Sequence, residues 1–235
     1  MLTLWGLFPT LICCQARGRA RSVPALVIEL GIPGLSRLIG QFLYEQLHQG
    51  SETSTPNCAP RLPVFAGRLK VFHSATVTFV SPSDPSGIGS MRREQIRAMP
   101  TWHRGPARYD CMFASTDDTV EGMLSMEVAR VLSFFSFVYT NGHNYSCALI
   151  HWFDRIADEP DEVTGMWMVR PSFLEDGSKN LAVIHIDSIV RSAHLLPIFG
   201  NERIPLYIDF HNSLDIYRSF YINRFADHHA FQLVS

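Results

Sequence analysis

No G-x-S-x-G elbow, no G-x-x-x-x-G-K-[ST] loop and no H-E-x-x-H helix occurs in this chain. These absences remove the α/β-hydrolase nucleophile, the phosphate-cradling P-loop and the zincin metal site from the readings the residues support. Cysteine is sparse and odd in number. Cys13, Cys14, Cys58, Cys111 and Cys147 include no C-x-x-C pair. That spacing argues against a disulfide framework or a zinc ribbon and points to reduced thiols. A catalytic cysteine would need a histidine and a carboxylate brought in by the fold, and nothing local supplies them.

Charge is scarce too. Charged residues make up 18% and the formal net charge is −2, so bulk charge does not mark a nucleic-acid binder, although a local patch stays open. Long apolar runs are missing. The opening stretch MLTLWGLFPTLICC is too short to span a bilayer, has no positive charge from Met1 to Thr10, and is interrupted by Pro9. Residues 1–23 are expected to be a stray or unstructured N-terminus. A nuclear or cytoplasmic location is expected rather than secretion, with no membrane partner.

What is present is a core-forming sequence: apolar residues reach 46% over 235 residues. Pro24 to Leu30 suits about two helical turns, and Gly31-Ile-Pro-Gly34 breaks the chain. Leu35, Leu38, Ile39, Phe42, Leu43 and Leu47 then fall on one helical stripe, with Gly50 as a stop. Residues 24–50 therefore predict a helical hairpin. Its outer face carries Arg37 among Ser36, Gln41, Glu45 and Gln46, too little charge for a DNA-reading helix-turn-helix. The Leu35–Leu47 stripe suits packing on a partner protein or on the next domain. Residues 51–66, beginning SETSTPNCAPRLP, read as a linker.

From residue 67 to 235 the periodicity is that of strands. Leu69 to Val80, Arg108 to Ala114, Val128 to Tyr139, Tyr145 to Ile156, Gly165 to Val169, Leu181 to Ile186 and Ala193 to Phe199 are strand candidates. Asn141-Gly142 predicts a type I′ hairpin turn. Ser213 predicts a helix cap, with the helix running from Leu214 to Tyr221. The expected class is α+β: a short N-terminal helical hairpin, then a mainly antiparallel β-barrel or sandwich, then a C-terminal helix.

Four groups of residues are candidate sites. Ser90 to Arg108 is the most basic stretch, and Arg92, Arg93, Arg97, Trp102, Arg104 and Arg108 suit phosphate forks and base stacking. The alternative is a solvated segment paired with acidic loops of the same chain. Trp152 and Trp167, with Tyr139 and Tyr145, suit a cation–π cage for a peptide or chromatin mark, or simply a core. Asp154 to Glu162 has proline where a metal loop has glycine, so a solvated loop is the expectation. His185 with Asp187, and His228 with His229, lack the further ligands a zinc site needs. No metal and no cofactor is expected.

Several longer phrases form an ordered set: KVFHSATVTFVSPSDPSGIGSMRREQIRA, RYDCMF, CALIHWFDRIADEPDEVTGMWMVRP, VIHIDSIVRSAHLLPIFG and SLDIYRSFYINRFADHHAF. Together they resemble the C-terminal region of fungal Plavaka-type, CACTA-like DNA transposon proteins, from about Gly31 to the end. The resemblance implies an upstream RNase H-like catalytic domain, which would lie before Leu26. Asp110, Asp117, Asp118 and Asp187 match no catalytic motif, so no catalytic residue carries over. The implied role is a non-catalytic tail of a transposase-like protein, contacting DNA or other transposon proteins. A protein-interaction module and a transposon remnant are the alternatives. The hairpin and VIHIDSIVRSAHLLPIFG also resemble the small barrels of bromo-adjacent-homology and SH3-like type, as fold analogy only.

Overall fold

The computed structural model describes residues 18–48, 61–81, 91–117, 119–120, 122–200, 203–209 and 211–234. Helix α1 (Val23–Leu30) starts where Ser22 accepts a hydrogen bond from the Ala25 N–H and ends at Gly31, which adopts φ 66°. A left-handed terminus of this kind is easiest for glycine. Helix α2 (Leu35–Leu47) buries Leu35, Ile39, Phe42 and Leu43, much of the stripe read from the sequence. That stripe is not free for a partner. It packs with Val71, Phe135, Cys147, Leu149 and Val183 of the sheet in one hydrophobic cluster. The end of the expected linker comes close to α2 at Gly40, where an added Cβ would lie 2.8 Å from the Pro63 carbonyl oxygen.

The strands are β1 (Lys70–Phe72), β2 (Ser74–Val80), β3 (Met91–Met99), β4 (Arg108–Tyr109), β5 (Cys111–Ser115), β6 (Met126–Val138), β7 (Asn144–Arg155), β8 (Met168–Pro171), β9 (Leu181–His185), β10 (Ile189–Ala193), β11 (Leu195–Pro197) and β12 (Phe220–Ile222). They form a nearly closed, barrel-like, mostly antiparallel sheet. The larger sheet runs β10-β5-β6-β7-β8-β12-β11, and β2-β3-β4 forms a smaller one. The long β6–β7 hairpin is its spine. One half of β6 pairs with β5 and the other with β1, while β7 divides between β8 and β9. A register shift between Val131 and Ser133 bends the spine, as a bulge does.

The spine and its neighbours are buried on both faces, so they read as continuous apolar runs. Met112 and Ala114 of β5 join β2 and β3 residues such as Val77, Phe79 and Ile96 in one cluster. Cys111 and Phe113 face the opposite cluster, with Val128, Phe153, Trp167 and Phe220.

Several sequence expectations need correction. The β6–β7 turn is not type I′. The Gly142 N–H bonds the Tyr139 carbonyl at 2.9 Å, and Gly142 but not Asn141 has positive φ. This is a type I turn closed by a left-handed glycine, the longer hairpin loop. Ala193–Phe199 is not one strand, because the chain changes partners at His194: β10 pairs with β5, and β11 with β12. The helix expected from Leu214 to Tyr221 is one turn, α3 (Ser213–Ile216), and its N-cap is Asn212. Phe220 and Ile222 instead enter the core as β12, where pairing with β8 and β11 overrides local helix preference. Helix α4 (His228–Leu233), capped by Asp227, ends the described chain. The expected N-terminal segment 1–17, Gly50 and linker residues 51–60 lie outside the described residues. No helix among the described residues is long and apolar enough to cross a membrane.

Candidate nucleic-acid groove

The described part of the basic segment is a strand followed by a turn. On β3, Ile96 and Ala98 are buried while Arg93, Gln95 and Arg97 alternate onto the other face. The strand feeds a tight turn in which the Gly105 N–H bonds the Trp102 carbonyl at 2.8 Å. His103 and Arg104, the two central residues, adopt φ 49° and 63°. Side chains other than glycine seldom occupy this region, and each such residue costs about 1–2 kcal/mol.

This turn sets Trp102 among arginines. The Arg97 and Arg108 guanidinium carbons lie 4.8 and 5.2 Å from its ring centroid. Asp110 fixes both residues: it accepts the Arg97 backbone N–H at 2.9 Å and the Arg108 side-chain Nε–H at 2.8 Å. Arg97 also donates to the Gln95 side chain at 2.8 Å. These side chains wall a cavity of about 600 Å³ that continues to Arg130, His194 and Leu214. The Arg130 guanidinium stands 5.6 Å from the Tyr109 ring and donates to Asp215 of α3 at 2.7 Å.

The six predicted arginine and tryptophan positions therefore separate. Arg97, Trp102 and Arg108 converge on the groove. Arg93 and Arg104 are exposed, Arg93 on the same strand face as Arg97. Arg92 turns toward Asp227 at 4.0 Å. The predicted tryptophan pair is not a cage. Trp167 is 6% exposed and belongs to the core, with Arg155 at 6.0 Å. Trp152 is half-buried against the other cluster. Tyr145 packs edge-on to Phe42 at 5.7 Å. The acidic loop folds on itself, with Asp161 accepting from the Thr164 N–H and hydroxyl at 2.9 and 2.7 Å. Among the described residues no three histidine, cysteine or acidic side chains converge to hold a metal ion. Cys111 and Cys147 are buried thiols, and burial pushes the Cys111 thiol up to about 12.

One cluster lies outside the sequence expectations, which named its His229 only beside His228 as a metal candidate. Arg191 of β10 is fully buried. It grips Asp227 through Nη1–Oδ1 at 2.9 Å and Nη2–Oδ2 at 2.7 Å, and it also donates to Glu94 of β3. Phe79 lies 4.8 Å from its guanidinium carbon, and His229 stacks on Phe79 at 4.5 Å. The Ser192 hydroxyl donates to Glu94 at 2.7 Å. Hydrogen bonds from Arg191 hold the Asp227 carboxyl well below the usual range, and burial, helped by the Arg191 charge, lowers His229 to about 4. The one signal in the sequence was an arginine amid the apolar residues of IVRSA, but its partners lie far apart along the chain. The cluster ties both sheets and α4 together, and its Glu94 and Ser192 also line the groove.

Comparison with known protein families, characterised proteins and solved structures returns no match to this chain.

Proposed function

We propose that this chain is a non-catalytic accessory region of a transposase-like protein and contacts nucleic acid through the Arg97–Trp102–Arg108 groove. The observation that carries the reading is an indole held within about 5 Å of two guanidinium groups at the wall of a 600 Å³ cavity. Guanidinium forks suit phosphate oxygens, and an indole stacks on bases whatever their sequence. The strained turn under Trp102 supports the same reading, since left-handed residues other than glycine cluster at ligand clamps. The ordered phrases resembling transposon proteins supply the context. The interaction-module alternative has less support, because both Trp167 and the apolar stripe of α2 are buried.

The test is fluorescence anisotropy with labelled DNA across a salt series. Binding should weaken steeply with salt, and Arg97→Ala/Arg108→Ala should reduce the log–log slope by roughly 1 to 2, as expected for two lost phosphate contacts. Absence of binding at about 50 mM salt, where phosphate contacts are strong, overturns the proposal.

A further inference from the structure

The groove has a neighbour. A second cavity, of about 640 Å³, adjoins it, and Arg130 and Leu214 line both. The second cavity has the same chemistry as the first. Lys179 and Arg170, the latter 3.9 Å from Asp154, supply cations, and Phe173 presents a ring that is 55% exposed, edge-on to His151 at 5.7 Å. Burial lowers the His151 pKa, so the ring adds no positive charge at neutral pH.

Arg130 is the joint between the cavities. Its side chain is 9% exposed, and the carboxylate that covers it, Asp215, is 51% exposed on the single turn of α3. Nη1 donates to Asp215, while Nε is buried without a hydrogen-bond partner among the described residues. A buried donor without an acceptor is rare in folded proteins and calls for an explanation. A carboxylate and a phosphate address a guanidinium with the same fork geometry.

We infer that the two cavities form one track for single-stranded nucleic acid, with Trp102 and Phe173 stacking unpaired bases and Arg130 taking a phosphate where Asp215 now sits. This deepens the nucleic-acid reading and rests on it. The strand must be single because both rings belong to concavities, and bases within a duplex are already stacked on one another. Asp215 acts as a stand-in anion that the entering phosphate displaces.

Anisotropy with a single strand of about 12 nucleotides, within the range of known single-strand site sizes, and with its duplex tests the track. The single strand should bind more tightly than the duplex. Phe173→Ala, at an exposed ring that the fold does not need, should weaken single-strand binding about tenfold, the size of one lost stacking contact. Asp215→Asn should tighten it several-fold, whereas Glu45→Gln on exposed α2 surface should not. A purely structural Arg130–Asp215 pair predicts the reverse sign for Asp215→Asn. Binding that depends on Trp102 yet ignores Phe173→Ala and Asp215→Asn, or that prefers duplex, overturns the track and leaves the groove reading standing. Absence of any nucleic-acid binding overturns both.

Discussion

Replacing Arg191 by methionine removes the charge while keeping much of the apolar stem. The cost follows from what is left behind. Glu94 and Asp227 have side chains only 15% and 17% exposed, and both lose their shared cation. Arg92, 4.0 Å from Asp227, is a distant substitute. Breaking one partner of a buried pair costs about 3–5 kcal/mol, because the other charge stays desolvated and uncompensated. Partial exposure of the carboxylates and the help of Arg92 place the expected loss near the lower end, about 3 kcal/mol. Against a typical stability of about 5–15 kcal/mol that is a large fraction. Asp227→Asn should cost less, about 1–2 kcal/mol, since asparagine still accepts the Ala230 N–H as a helix cap. Neutralising the whole group, in Arg191→Met/Glu94→Gln/Asp227→Asn, should recover part of the loss, because no uncompensated charge remains. Urea denaturation at pH 7 reads all three variants. A loss below about 1 kcal/mol for Arg191→Met, or a triple variant no more stable than Arg191→Met, would refute charge compensation as what holds this cluster.

The same cluster makes stability depend on pH. Unfolded, His229 takes a proton near 6.5, but folded it does so only at about 4, so the unfolded state binds more protons in between. At about 1.4 kcal/mol per pH unit, stability should fall by up to about 3 kcal/mol as pH drops from 6.5 to 4. His229→Phe, which keeps the stack on Phe79, should flatten that limb in urea melts, and an unchanged slope would count against it. The depressed Asp227 carboxyl contributes fully above about pH 4 and loses its contribution as pH falls further, so Asp227→Asn should flatten the more acidic limb. Gly40→Ala should lower the melting temperature although it lies within α2. The usual helix gain of about 1 kcal/mol is outweighed by a Cβ placed 2.8 Å from the Pro63 carbonyl. A raised melting temperature would show that the Pro63 segment yields.

The helices and the strand spine were legible because local patterns decide them. The Leu35–Leu47 stripe has the helical period, Gly31 can take the left-handed stop, and Asn141-Gly142 sits between two aromatic-rich runs. The basic strand β3 was not legible as a strand, since its exposed face carries Arg93, Gln95 and Arg97 and its inward face holds few large apolar side chains. The C-terminal segment misled for a related reason. Ser213 offers a helix start, yet Phe220 and Ile222 gain more by pairing with β8 and β11 inside the core.

The candidate site divides in the same way. Trp102 amid arginines was visible in the chain as residue types that suit phosphate and bases, and the sequence by itself determined that chemistry. Which arginines serve it was decided only in three dimensions. Strand alternation, the left-handed turn at His103-Arg104 and Asp110 bring Arg97 and Arg108 to the indole, while Arg92 turns toward Asp227. The join through Arg130 to the second cavity, and the closure of Arg191 by Glu94 and Asp227, depend on residues far apart in the chain. Only the pairing of strands and the closing of the barrel-like sheet bring them within hydrogen-bond reach, and no local pattern encodes that distance.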